Sequence, residues 1–460
     1  SDVTESKKPV LKNFYADKSA LFSHFSNDFT LIINPVINFQ YGKEKADTSG
    51  RHFINTRGVE IHGWVNKKVG YYLYIGENQM RQPQYVQQEI KKLQAVPGEG
   101  YYKEFKTTGV DFLTTKGYIN FTAAKYINFT FGNGKNFIGD GYRSLFLGDF
   151  SEDYLYLRIN TQVWRFQYQN IFADLTANFL RAGDTRLARK YAAFHHLSFN
   201  VTDHVNAGLF EGVIFGRNDG YELNYLNPII FYRAIEQGLG SPDNAVMGAD
   251  AKIIFLKHFS AYGQLLIDDL NLSYFKNFNG YWGDKLGGQL GLKYINAFTI
   301  PNLDLQLEWN EVSPYTYTHD DTLANYSQYN QPLAHPLGAN FNEYISIISY
   351  QPIQQLNIQL KFFKQLYGQD KDSSNFGGNI LIPTTEHTVA YVTGNQVGQG
   401  VTTNQLMMNF IISYELKHNL FLDAEMLYRK SDANDNTFDS NTNYVALGLR
   451  WNIAKRNFDF

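Results

Sequence analysis

Apolar and polar side chains alternate one by one along many segments of this chain. In residues 303–310, three Leu and a Trp alternate with Asp, Gln, Glu and Asn, and residues 405–415 and 445–453 show a similar pattern. A period of two places the apolar side chains on one face of a β-strand and the polar ones on the other. The pattern predicts 19 strands, near residues 28–41, 52–66, 68–78, 111–123, 126–132, 154–161, 163–173, 189–201, 204–215, 223–236, 243–256, 258–268, 285–298, 302–312, 341–351, 354–366, 404–416, 419–430 and 441–454.

The length of these segments favours a membrane barrel over a soluble β-sandwich, which would also alternate. Many segments reach nine residues, close to the roughly 9–11 that a tilted strand needs to cross a bilayer. Aromatic residues cluster at their ends, as in the interfacial girdles of outer-membrane barrels. Short turns alternate with long polar connections, one of which is predicted to contain a helix over residues 84–93. We therefore predict an all-β protein, a transmembrane antiparallel barrel of about 18 strands with long extracellular loops.

The amino-acid composition limits the cellular compartments and the classes of partner that are plausible for this chain. The chain has 36 Phe and 33 Tyr, whereas only 18% of its residues are charged, below the roughly 25% of soluble domains. Its mean hydropathy is nevertheless -0.36, which suits strands with one lipid face and one wet face. The absence of cysteine excludes disulfides and thiolate metal sites, and a net charge of -3 gives no case for a nucleic-acid partner.

The two ends of the chain carry separate expectations. Residues 1–27 alternate poorly, so we expect an N-terminal extension or a plug there and the barrel over residues 28–460. The chain starts with Ser1, which suggests that a leader has been removed. It closes on an alternating segment followed by Phe460, and a terminal strand that ends in Phe resembles the assembly signal of bacterial barrels.

A glycine-rich segment, residues 131–144, contains Lys135 and could suggest a phosphate-binding loop. Such a loop requires Ser or Thr directly after the lysine, and Asn136 stands there instead. The alternatives are a tight loop or a loop folded into the lumen, in which Lys135, Asp140 and Arg143 would pair with charges of the wall.

No other motif supplies catalytic or metal-binding chemistry. His195 and His196 are neighbours in a strand and point to opposite faces, so they cannot chelate one metal. No nucleophile-elbow or zinc-protease motif is present, although a scattered triad is left open. Arg233 and Glu236 interrupt an apolar run. We expect lumen-wall pairing there, with a bulge or strand end near Ala234, because a lipid-facing Arg costs roughly 2–4 kcal/mol.

Several segments resemble the capsule-assembly Wzi-like family of outer-membrane proteins. These are residues 134–144, 154–159, 227–233, 241–244 and 262–268. They are most similar to the Bacteroidota branch, which includes the gliding motility protein RemB. The resemblance implies a barrel of about eighteen strands without catalysis or a cofactor. For the family it implies tethering of capsular polysaccharide, and for the branch a role in gliding or its secretion apparatus.

Two main functions therefore stay open. The first is a non-enzymatic binder of surface polysaccharide, and the second is a scaffold for envelope proteins of a gliding or type IX secretion apparatus. A diffusion porin needs an open lumen, and a membrane-embedded hydrolase is the least favoured alternative. The expected partners are outer-membrane lipid and either the polysaccharide or the envelope proteins. The candidate glycan- or partner-binding residues are Lys135, Asp140, Tyr142, Arg143, Arg233, Asp243, Asn244, Tyr281 and Trp282.

Overall fold

A computed structural model describes residues 12–17, 19–106, 108–180, 186–217, 220–229, 231–240, 242–276 and 279–460. Eighteen antiparallel strands form a closed β-barrel, as predicted, and β2 closes it by pairing with β22. The barrel strands are β2 (Phe29–Glu44), β3 (His52–Val65), β4 (Val69–Arg81), β6 (Gly109–Ala124), β7 (Ile127–Gly134), β8 (Tyr154–Val163), β9 (Phe166–Thr176), β10 (Arg189–Asn200), β11 (Val205–Phe215), β12 (Asn244–Phe255), β13 (Phe259–Asp269), β14 (Lys285–Tyr294), β15 (Leu303–Val312), β18 (Phe341–Ile353), β19 (Leu356–Gln369), β20 (Val401–Lys417), β21 (Leu420–Ala433) and β22 (Ser440–Trp451).

Short elements accompany the barrel. The predicted helix is α1 (Gln84–Leu93), with the predicted bounds. The other short elements are β1 (Phe22–Phe25), β5 (Lys103–Phe105), β16 (Ser327–Gln328), β17 (Gln331–Pro332), α2 (Tyr232–Gly238), α3 (Leu272–Phe275) and two 3-10 turns, Leu223–Leu226 and Ala297–Thr299. Among the described residues, no helix is both long enough and apolar enough to span a membrane.

One predicted strand, residues 223–236, is wrong. The segment forms a 3-10 turn and helix α2 in the connection between β11 and β12. Asn227-Pro228 separates the two, and a proline has no N–H group to donate to a strand ladder. Removal of this segment from the 19 predicted strands leaves the 18 of the barrel, and the bulge expected near Ala234 does not exist because α2 covers that position.

The two ends of the barrel differ in their connections. Eight connections between successive barrel strands are short, such as the one between β8 and β9, and nine are longer. We call the two ends the short-turn end and the long-loop end. Strand β1 pairs with β2 near the short-turn end, so part of the predicted N-terminal extension continues the sheet, whereas residues 1–11 and 18 lie outside the described residues.

The lumen is filled by segments that fold inward from both ends. Leu145 and Phe146 of the connection between β7 and β8 pack with Tyr326 against the inward-facing Phe194 and Phe210 of the wall. Helix α1 and the residues after it form a second cluster with other wall strands. Two hydrophobic clusters therefore lie inside the barrel, between the wall and its own loops, and a third, which includes Ala193, Val213 and Tyr225, packs the connection between β11 and β12 against the wall.

The C-terminal residues also fold into the lumen, which corrects the predicted terminal strand. The last strand ends at Trp451. Phe460 then lies inside the barrel, where its ring is 5.9 Å from that of Tyr85 and 5.7 Å from that of Phe150. Phe460 is excluded from the sheet because it packs against α1 and the loop before β8.

Candidate functional site

The glycine-rich motif lies inside the barrel as a segment fixed by polar side chains of the wall. We call residues 136–148 the inner segment. Glu308 accepts hydrogen bonds from the backbone N–H groups of Tyr142 at 2.6 Å and Arg143 at 3.0 Å. Lys252 forms an ion pair with Asp140 at 2.7 Å. The expectation of a lumen loop whose Asp140 and Arg143 meet wall charges is therefore confirmed.

Arg143 lies at the centre of a buried charge network. Its guanidinium is 3.8 Å from Glu343 of β18 and 3.5 Å from Asp459 of the C-terminal residues. His335 contacts Glu343 at 2.6 Å, and Lys361 is 3.4 Å from Asp459. The network connects the inner segment, the wall and the chain after β22.

The electrostatics of this network favour the charged forms of Arg143 and Asp459. Burial alone would lower the pKa of Arg143, but the carboxylates of Asp459 and Glu343 raise it above its usual value. Burial would likewise raise the pKa of Asp459, but Arg143 and Lys361 outweigh it and lower this pKa to about 2. Tyr142 donates a short hydrogen bond to Asp459. Four charged side chains from distant parts of the chain, Arg143, Glu343, Lys361 and Asp459, thus form one cluster.

Lys135 does not pair as predicted. Among the described residues, no carboxylate lies within ion-pairing distance of its Nζ atom, and it faces a cavity of 720 Å³ on the short-turn side of the inner segment. The cavity is also lined by Tyr72, Tyr74, Glu99 and Lys116. Burial lowers the pKa of Lys135, with opposing contributions from Asp153 and other nearby groups.

Arg233 and Asp243 have local partners in the connection between β11 and β12. Arg233 pairs with Glu236 at 2.8 Å within α2 and not with the lumen wall, because its segment is a loop. Asp243 accepts two hydrogen bonds from Arg217, at 2.7 and 2.8 Å. Asn244 begins β12. Position 241 of the same motif lies outside the described residues.

The long-loop end carries an aromatic platform, which we define as Tyr274, Tyr281 and Trp282. Tyr274 stacks on Tyr281 with ring centroids 4.2 Å apart and an angle of 12°, and 41% of Tyr274 is exposed. Tyr281 and Trp282 line a cavity of 340 Å³ together with Asp269 and Asn271. Burial raises the pKa of the Tyr281 hydroxyl, so it stays protonated and can donate.

The structure does not bring the nine predicted residues into one site. Lys135, Asp140, Tyr142 and Arg143 lie in the lumen, Arg233, Asp243 and Asn244 belong to the connection before β12, and Tyr281 and Trp282 form most of the aromatic platform. The contributions of Glu343 and Asp459 were missed. Alternation in β18 could have indicated that Glu343 faces the lumen, but no local signal points to Asp459.

Sequence reasoning also missed a buried cluster near the long-loop end. Ligand atoms of Glu44, Asp47 and His52 lie within 4.8 Å of one another, a spacing that could hold a metal ion. Arg81 donates to Asp47 at 2.6 Å and lies 3.3 Å from His52 Nε2. Burial would raise the pKa of Asp47, but hydrogen bonds from Ser49 and Arg81 lower it to about 2. The guanidinium therefore supplies the positive charge that a metal would otherwise provide.

Comparisons with known proteins support the fold. No family model and no curated protein matches the sequence. Among solved structures, the chain is similar to Wzi, an outer-membrane protein involved in group 1 capsule assembly in Escherichia coli and described as a carbohydrate-binding β-barrel, with a TM-score of 0.59, 12% identity, and coverage of 92% of this chain and 85% of Wzi. Acinetobacter baumannii OccAB2 aligns with a TM-score of 0.50, 9% identity, and coverage of 92% and 97%. The fold is that of a bacterial outer-membrane β-barrel and is Wzi-like.

Proposed function

We propose that this protein is a non-enzymatic outer-membrane barrel that binds surface polysaccharide at its long-loop end. The aromatic platform beside an open cavity is the observation that carries the proposal. In bacterial barrels the long loops face the cell exterior. The platform is therefore directed to the side where a capsule would be attached.

The chemistry of the platform suits a sugar. Aromatic faces pack against the apolar faces of sugar rings, and carboxylate and amide groups at the edge accept and donate hydrogen bonds to hydroxyls. The 340 Å³ cavity lies near the lower limit of about 300 Å³ for small-molecule sites. It therefore fits one or two sugar units of a chain that continues outside.

The filled lumen favours this function over a diffusion porin. A water-filled channel needs a polar interior. Here the inner segment brings Leu145, Phe146 and Leu147 into the barrel, and all three are fully buried against the wall or other loops. The same loops that close the lumen support the long-loop surface.

Direct binding of polysaccharide to the purified barrel tests the proposal. The probe is lipid-free surface polysaccharide extracted from the source cells, and calorimetry measures its affinity for the wild type and for Tyr274→Ala and Tyr281→Ala. We expect each variant to bind about tenfold more weakly, which corresponds to ~1.4 kcal/mol. Tyr126→Ala, a half-exposed tyrosine in a short turn, is the matched control. No binding by the wild type, or equal loss in the control, would contradict the proposal.

A second candidate is a scaffold for envelope proteins of a gliding or secretion apparatus. It is supported by the resemblance to the Bacteroidota branch and by long strands such as β20, with 17 residues, which exceed the roughly 9–11 that cross a bilayer. Arg57 and Glu77, which face outward, form an exposed ion pair at 3.6 Å in the half of β3 and β4 that is nearer the long-loop end. A gentle-detergent pull-down from native membranes separates the candidates, because a scaffold retains stoichiometric proteins and a polysaccharide binder retains glycan.

A further inference from the structure

The connection between β11 and β12 lies on the outer face of the barrel. We call the described part of this connection, residues 216–217, 220–229, 231–240 and 242–243, the outer flap. Phe194 and Phe210 pack into the lumen, so their strand neighbours His195 and Glu211 face outward. Glu211 accepts hydrogen bonds from the backbone of the flap, at 2.8 Å from both Tyr232 and Arg233. The flap therefore bends over the rim and descends along the outside of the wall.

The flap reaches far towards the short-turn end. Tyr168 donates a short hydrogen bond to the carbonyl oxygen of Pro228 at the tip of the flap. Tyr168 is paired with Leu197, and the next outward pair towards the short turns is Phe166 with Phe199, whose stacked rings are 4.6 Å apart. Two residues correspond to about 7 Å along a strand. The tip thus lies just inside an aromatic girdle and most of the way across the membrane-facing band.

Beneath the flap lies a polar cluster that lipid could not solvate. His195 Nε2 is 2.8 Å from Glu211, and its Nδ1 is 2.9 Å from the hydroxyl of Tyr168. The ring of Tyr232 covers His195 in a parallel stack at 4.1 Å. Charged side chains on the lipid face are costly, so the flap supplies the protein partners that this part of the wall requires.

Three large apolar side chains are exposed on the opposite side of the flap, alongside the polar Asn224 and Asn227. Leu223, Ile229 and Phe231 are 73%, 84% and 71% exposed. They continue the lipid-facing surface of the adjacent wall, where Leu209 is 60% exposed and belongs to the same row as Leu197.

Several backbone N–H groups near the tip of the flap find partners within the protein. Pro228 has no N–H group, and the N–H group of Ile229 donates to the side chain of Asn227 at 3.2 Å. The N–H groups of Ala234 and Ile235 donate to Phe231. A segment that enters hydrocarbon is tolerated only when such groups find partners within the protein.

We propose that the outer flap is immersed in the membrane and that lipid acyl chains cover Leu223, Ile229 and Phe231. The apolar surface, its continuity with the lipid-facing wall and the paired backbone at the tip all point to the same occupant. The charge of Arg233 is held by Glu236 in an ion pair at 2.8 Å. This proposal rests on the barrel fold and is independent of polysaccharide binding.

Site-directed fluorescence tests this placement, because the chain contains no cysteine and single-cysteine variants need no background changes. Ile229→Cys reports on the flap, Leu209→Cys on the lipid-facing wall, and Asp320→Cys on a loop whose side chain is 66% exposed. Each variant carries an environment-sensitive NBD label and is reconstituted into phosphatidylethanolamine and phosphatidylglycerol vesicles. Quenching by doxyl-labelled lipid and by aqueous iodide is measured in parallel.

We expect Ile229→Cys to be quenched by doxyl lipid within twofold of Leu209→Cys and several-fold more strongly than Asp320→Cys. Iodide quenching that matches Asp320→Cys would place the flap in water and overturn the proposal. Weak quenching by both reagents would show that a protein or a second copy covers the flap, and this outcome would also overturn the lipid assignment. Leu223→Cys repeats the test if Ile229→Cys does not fold.

Discussion

Replacement of Arg143 by alanine is expected to release the C-terminal residues from the lumen wall. Arg143 is the cation between Asp459 at 3.5 Å and Glu343 at 3.8 Å, and its side chain is 10% exposed. It also donates a short hydrogen bond to the backbone carbonyl oxygen of Asp459. Lys361 remains 3.4 Å from Asp459, so the variant loses the larger but not the only cation next to that carboxylate.

The expected loss follows from this geometry. Removal of one partner from a buried ion pair costs about 3–5 kcal/mol, and the remaining lysine places Arg143→Ala towards the lower end of that range. A loss of ~3 kcal/mol raises the population with released C-terminal residues about 150-fold. We expect lower unfolding free energy in guanidinium titrations of the lipid-folded barrel, and new conductance events in planar bilayers.

A matched control and a double-mutant cycle decide whether the reasoning holds. Arg165 pairs with Asp203 at 3.6 Å in a turn where the two side chains are 39% and 90% exposed, so Arg165→Ala should cost less than about 1 kcal/mol. Arg143→Ala and Asp459→Asn should couple. Losses of unfolding free energy that add within about 0.5 kcal/mol would show that Arg143 does not hold the C-terminal residues.

Two further predictions concern the segments that fill the lumen. Burial, followed by the charges of Asp153 and Glu99, raises the pKa of Glu152 from 4.5 to about 9. The contribution of Glu152 to stability is therefore full below about pH 4.5 and is lost as the pH rises through about 9. Glu152→Gln should flatten the decline of unfolding free energy over that range, and an unchanged slope would argue against the raised pKa. Phe146 is fully buried and stacks on Phe210 at 4.7 Å, so Phe146→Ala should lower the unfolding free energy by about 3–5 kcal/mol, whereas the same change at Phe298, which is largely exposed in a short connection, should have little effect.

The barrel could be predicted from the sequence because strand patterns are local. Residues 302–312 were predicted as a strand by alternation alone, and β15 spans Leu303–Val312. The failure at 223–236 has the same origin. Leu226, Ile229 and Phe231 are apolar and exposed, as residues on the outer face of a barrel strand would be. They belong to the outer flap, however, and pair with no strand.

The charge network in the lumen could not be predicted because its members are far apart in the chain. Arg143 and Asp459 are separated by 316 positions. From the sequence alone it can be inferred that a charged residue in a wall strand, such as Glu343, faces the lumen. Which loop supplies its partner depends on how nine connections fold, and no pattern in the chain encodes that choice. By contrast, Tyr274, Tyr281 and Trp282 lie close together in one connection, so the sequence could indicate an aromatic cluster there.

The apolar side chains on the inner wall indicate that the lumen stays filled. Ile171, Phe194, Phe210 and Leu266 point inward and are almost completely buried by the inner segment and neighbouring loops. If those loops left, this apolar sector would face water, at a cost of about 25 cal/mol for each Å² of apolar surface. A porin avoids that cost with a polar lumen. The apolar inner sector is therefore stable only while the loops stay in place, and under the proposed function the contacts with sugar would lie on the surfaces that the loops present outside.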